Sequence, residues 1–137
     1  MFAFIVFFSA APSYVSAVEV IINSSKQLPS NTLTTYQIRQ IYTMRQHYWP
    51  SGQAVVVFTL PSDQLIHKQF SKNILKIFPY QLDRMWRKLT YSGLGKVPIE
   101  VNTIDELKNM IKNTPGAIGY VDKLLEGDAF DVIEIKE

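Results

Sequence analysis

The segment Ala54-Val55-Val56-Val57-Phe58-Thr59-Leu60 runs straight into Pro61-Ser62-Asp63-Gln64. An apolar run with no polar alternation reads as a strand covered on both faces, which requires helices above and below a sheet. Pro61-Ser62-Asp63 then offers a helix start, with Ile66, Phe70, Ile74 and Ile77 as its apolar stripe. A strand passing directly into a helix is half of an α/β unit.

The same alternation continues on either side. Val18–Ile22 (VEVII) predicts a first strand and Asn23-Ser24-Ser25-Lys26 a polar loop. Thr34-Thr35-Tyr36-Gln37 has the form of a capping box, so a helix carrying Ile38, Ile41 and Tyr42 should run to about Met44. Tyr48-Trp49-Pro50-Ser51-Gly52 reads as a turn. Pro79 opens a helix through Leu89, with Leu82, Trp86 and Leu89 on one face. Beyond a glycine loop at Ser92–Lys96, Ile99–Val101 predicts a short strand. Thr103-Ile104-Asp105-Glu106 is a second capping box, opening a helix that ends near Asn113. Ala117–Val121 and Val132–Ile135 supply the last strands. The expectation is one α/β domain, a mixed sheet flanked by helices.

Composition narrows the function. A chain of 137 residues holds one core, and 47% apolar residues exclude a disordered tail. The absence of cysteine excludes a disulfide scaffold and thiolate chemistry, and two histidines leave little for zinc. A net charge of +2 from 14 basic and 12 acidic residues is too balanced for a nucleic-acid binder. Residues 1–17 (MFAFIVFFSAAPSYVSA) carry no charge, and small residues lead to Val15-Ser16-Ala17. Pro12, Ser13 and Ser16 cut the apolar run far below the ~20 residues of a membrane span. The segment reads as an export signal, although no Lys or Arg precedes the run; the other reading is a buried first element. Export places a mature domain, 18–137, in the periplasm.

Catalysis finds no support. Neither His47 nor His67 sits in a recognisable catalytic setting, and His67 is expected on the polar side of the helix after Asp63. Gly93-Leu94-Gly95 is not a nucleotide fingerprint, and there is no metalloprotease or Walker motif. No catalytic residue, metal or cofactor is expected. Ligand capture at strand ends fares better, because helices that follow parallel strands aim free N–H groups at the space beyond the strands' carboxyl ends. Thr59, Ser62, Asp63 and Gln64 surround one such junction, and Ser24 and Ser25 mark a second polar strand end. Ordinary N-capping by Ser62 or Asp63 is the competing reading. An aspartate there repels a fully ionised anion, which favours a protonated phosphate that donates to it.

Three stretches resemble one family: Tyr36-Gln37-Ile38-Arg39-Gln40-Ile41-Tyr42 with Trp49, then Leu60–Phe70, then Thr114-Pro115-Gly116-Ala117-Ile118-Gly119-Tyr120-Val121. Together they are similar to the phosphate-binding protein of bacterial ABC phosphate uptake, particularly its short, stand-alone periplasmic relatives. The resemblance implies a type II periplasmic-binding-protein-like single lobe, secretion, inorganic phosphate or a related oxyanion as ligand, and a membrane permease or a sensor as partner. It also has departures. The family's Arg and Gly-Ser-Gly-Thr-type loop are replaced here by Thr59-Leu60-Pro61-Ser62-Asp63-Gln64, and one lobe cannot close over a ligand. The alternative is a periplasmic interaction or sensor module with a degraded ligand site. Pro115-Gly116 has a structural reading as well, as a turn, with Gly119 admitting close packing.

Overall fold

The computed structural model describes residues 18–23, 27–93, 95–124, 128 and 130–137, with Ala3 and Ile5. The export signal expected at 1–17 lies, apart from those two, outside the described residues. Six strands form one mixed sheet: β1 (Glu19–Ile22), β2 (Thr32–Thr34), β3 (Val56–Thr59), β4 (Ile99–Glu100), β5 (Ala117–Val121) and β6 (Asp131–Lys136). Their spatial order is β2-β6-β1-β5-β3-β4. β1 pairs antiparallel with β5 and β6, whereas β2–β6, β3–β5 and β3–β4 are parallel pairs. β1 is therefore the one described strand that runs against the rest.

Four helices flank the sheet: α1 (Thr35–Tyr42), α2 (Leu65–Gln69), α3 (Pro79–Ser92) and α4 (Ile104–Asn113). α1 opens with the expected capping box, Gln37 N–H donating to Thr34 Oγ1 and Thr34 N–H to Gln37 Oε1. α4 keeps half of its box. Thr103 Oγ1 accepts from Glu106 N–H, but the Glu106 carboxylate accepts from Asn102 N–H instead. Strand alternation places the helices. Gly119 meets Leu107 and Ile111 of α4 on one face of β5. Tyr120 points the other way and stacks on Phe70, ring centroids 4.0 Å apart, with Tyr42 of α1 set edge-on to Phe70 at 4.7 Å.

Two elements depart from expectation. β2 is an edge strand that the sequence reading passed over, and its last residue, Thr34, is also the N-cap of α1. After α2 the helix continues as a π-helical segment, Phe70–Leu75, closed by Lys76 in the left-handed region at φ 57°. The wider turn moves the buried stripe from the expected Ile74 and Ile77 to Ser71 and Leu75.

Candidate functional site

β3, β4 and β5 run parallel, so their carboxyl ends share one edge of the sheet. At that edge Thr59 and Leu60 are buried, Ser62 and Asp63 are exposed, and Leu65 is 68% exposed. The N-cap of α2 is Gln64, in extended backbone, and no side chain caps the helix. Gln64 N–H turns back to the Pro61 carbonyl at 3.1 Å, and the Gln64 side-chain amide donates to the Asn102 carbonyl at 2.8 Å, tying this junction to the start of α4. Neither Ser62 nor Asp63 therefore performs the capping that sequence allowed for them. At α4 one of the equivalent amides, that of Glu106, is taken by Thr103 Oγ1. Of these two helix starts, that of α2 has no side-chain cap at all, so its first N–H groups carry the positive end of the helix dipole unscreened by a cap.

Ser62 also lines a cleft of about 330 Å³ with Asp83, Trp86, Arg87 and Thr90 of α3. The four α3 residues recur at i, i+3, i+4 and i+7, one face of a helix. That spacing was readable in the sequence, but the partner across the cleft was not. Arg87 is exposed and Asp83 half-buried.

Behind the cleft lies a buried polar network that sequence reasoning missed. Leu60 N–H donates to the Tyr120 hydroxyl at 3.0 Å, and the same oxygen stands 2.9 Å from Thr59 Oγ1 and 2.7 Å from His67 Nδ1. The donors and acceptors balance when Thr59 O–H donates to Tyr120 and Tyr120 O–H to His67 Nδ1, leaving the proton of the neutral ring on Nε2. That Nε2 is buried without a hydrogen-bond partner and faces Asp83 Oδ1 at 3.9 Å. Two expectations are corrected here. Thr59, 3% exposed, turns its hydroxyl into this network and away from the cleft. His67, expected on the solvated side of α2, is fully buried, because positions 66, 67, 70 and 71 together form the face pressed onto the sheet.

Burial holds the His67 pKa below its ordinary 6.5, against a smaller opposing pull from Asp83. A base whose folded pKa is depressed binds fewer protons folded than unfolded. Stability is then fully present above pH ~6.5 and is lost as pH falls through that value. Urea midpoints measured from pH 8 to pH 5 should decline below pH ~6.5. The decline should be smaller in a His67→Gln variant; identical profiles would mean that His67 is not held neutral.

Ser24 and Ser25 lie outside the described residues. Because β1 is antiparallel, Ile22 pairs with Ile118 and Asn23 N–H reaches the Ala117 carbonyl, so β1 ends at the edge where β5 begins, opposite Ser62. Asn23 is occupied as well, its side-chain amide donating to the Ile111 and Lys112 carbonyls at the end of α4. The structure thus brings Ser62, Asp63 and Gln64 together at one edge and does not bring the carboxyl end of β1 to them. Among the described residues no cluster of three or more His, Asp or Glu is arranged to hold a metal ion, and no helix is long and apolar enough to cross a membrane.

No protein-family model and no curated protein matches the chain. Solved structures do. An ABC-type phosphate transport receptor from Vibrio cholerae superposes with a TM-score of 0.61 at 15% identity, covering 86% of this chain and 45% of the receptor. A Clostridium perfringens protein whose structure holds bound phosphate gives 0.64 at 18% identity, over 86% of this chain and 44% of its own. PstS from Borrelia burgdorferi gives 0.64 at 16% identity, over 87% and 47%. At such identities the likeness establishes the fold: a periplasmic-binding-protein sheet and its helices, at the scale of a single lobe. The chain spans less than half the length of these neighbours.

Proposed function

We propose that this chain is a non-enzymatic solute-binding lobe that holds a small oxyanion, inorganic phosphate foremost, at the start of α2. The observation that carries the reading is that α2 opens without a side-chain cap at the carboxyl end of β3, beside a cleft shared by Ser62 and Arg87. Uncapped amides and the helix dipole attract negative charge, and the Ser62 hydroxyl adds a donor. The junction itself has no arginine; α3 supplies one across the cleft as Arg87. Asp63 and Asp83 then favour an anion that retains a proton, hydrogen phosphate over sulfate. Fold neighbours named for phosphate transport support the same ligand. A single lobe by itself leaves the ligand partly in water, so the affinity of these 137 residues alone should be modest. Residues 1–17 would export the lobe to the periplasm, where a permease or a sensor receives the ligand.

Calorimetric titration tests this. Phosphate should give a saturable isotherm, sulfate a weaker one, and Ser62→Ala should lower phosphate affinity ~10-fold, the loss of about 1.4 kcal/mol expected for one hydrogen bond to a charged group. Silence to millimolar phosphate would leave the second reading, an interaction module with a degraded site. That reading has its own observation: Leu65, the first residue of α2, presents an apolar side chain at the mouth of the site.

A further inference from the structure

The charge along the chain is segregated. Residues 35–96 contain nine Lys and Arg against two Asp, and residues 97–137 contain nine Asp and Glu against four Lys. The first segment builds α1, α2 and α3, which cover one face of the sheet, and the second builds α4 on the other. On the basic face the end of α1 and the outer side of α3 enclose a groove of about 400 Å³, lined by Met44, Arg45, Met85, Lys88 and Leu89 among others. Two adjoining depressions continue it, toward Arg84 on one side and toward Tyr36, Arg39 and Lys76 on the other, and Met85 lines all three. Lys76 pairs with Glu137 and Arg39 donates to the Leu75 and Lys76 carbonyls. The side chains of Arg45, Arg84 and Lys88 have no ion-pair or hydrogen-bond partner among the described residues.

We infer that this groove is a docking site for an acidic segment of another protein that carries an apolar anchor side chain. Charge complementarity sets the sign of the partner: three unpaired cations border the groove with no carboxylate lining it. Shape sets its class. A concave trough with a flexible thioether running through it receives a protruding side chain. From Gln81 to Ser92 the α3 side measures roughly 16 Å at the α-helical rise, enough for about three turns of a bound helix. Arg84, Met85 and Lys88 lie outside the Ser62 cleft, so the inference is independent of oxyanion binding.

The test is fluorescence anisotropy with a labelled 14-residue peptide of repeated Glu-Leu-Leu-Glu, beside a version with Ser for Leu, and vesicles of phosphatidylglycerol and phosphatidylethanolamine in 1:3 ratio. The acidic apolar peptide should bind saturably at low salt, and the double variant Arg84→Ser with Lys88→Ser should weaken it at least 10-fold. Met85→Ser, which alters no charge, should weaken it several-fold, and the serine peptide should bind poorly. These residues are exposed, and circular dichroism confirms that each variant folds. Several results would each overturn the inference: no saturable binding, insensitivity to Met85→Ser, vesicle binding with the same residue dependence, or light scattering that shows self-association through this face.

Discussion

Tyr120→Phe should destabilise the protein by about 3 kcal/mol while leaving its packing intact. The ring remains stacked on Phe70 at 4.0 Å, so no cavity opens. What disappears is the one oxygen on which three groups converge: Leu60 N–H, Thr59 Oγ1 and His67 Nδ1. Leu60 is 1% exposed, and a buried N–H without a partner costs about 1–3 kcal/mol, with a further contribution from the stranded imidazole nitrogen. Urea denaturation measures the loss as a lower midpoint at unchanged slope. Tyr42→Phe is the matched control. It removes a single hydrogen bond to the Phe58 carbonyl and should cost about 1 kcal/mol. Equal effects for the two tyrosines would show that the hub has no special weight. Because Leu60 leads directly into Pro61 and Ser62, the same substitution should also weaken phosphate binding, by loosening the backbone that sets the start of α2.

That result bears on what the sequence could and could not disclose. Five strands, the capping box of α1 and the Thr103 cap of α4 were legible because each depends on local chemistry: an apolar run, or a Thr three residues before a Gln or Glu. β2 was not legible. Three residues, Thr32-Leu33-Thr34, have no periodicity to read, and only pairing with β6 makes them a strand. The π-helical turn was hidden for a related reason, since the extra residue per turn is fixed by how Phe70, Ser71 and Leu75 meet the sheet and not by their propensities. At the site, a strand-to-helix junction could be found but not oriented. Thr59 adjoins Ser62 in every linear sense, yet strand alternation turned its hydroxyl inward to a tyrosine 61 residues away. Ile22 ends a strand as Thr59 does, and only the antiparallel sense of β1 sets those two strand ends at opposite edges of the sheet. Arg87 and Asp83 were visible as a helix face without any sign of what that face looked at. Distance along the chain, not chemical subtlety, is what the sequence reading lacked.

Gly116→Ala decides the remaining ambiguity, whether Pro115-Gly116 is a turn or a ligand contact, and it should cost about 3–5 kcal/mol of stability. Gly116 has φ of 78°, a region that strains an L side chain, and a Cβ placed there would collide with the Ala54 carbonyl oxygen and crowd Gln53. The obstruction is backbone, which cannot swing aside. Two hydrogen bonds would go with the displacement, since the Gly116 carbonyl accepts from Trp49 Nε1 at 2.8 Å and from Val56 N–H at 3.1 Å. Gly119→Ala is the instructive contrast. Its Cβ would also be crowded, but by the side-chain ends of Ile111 and Leu107, which can repack, so its cost should be smaller, about 1–3 kcal/mol. Geometry argues that the effect of Gly116→Ala is on folding alone. Gly116 stands at the start of β5 and Ser62 beyond the end of β3, and since those strands are parallel the two residues occupy opposite edges of the sheet. Thermal unfolding followed by tryptophan fluorescence should therefore shift markedly, while the fraction that stays folded at low temperature should titrate with phosphate as the parent does. A variant that kept its stability and lost only anion binding would reverse the assignment and move the ligand to the other edge.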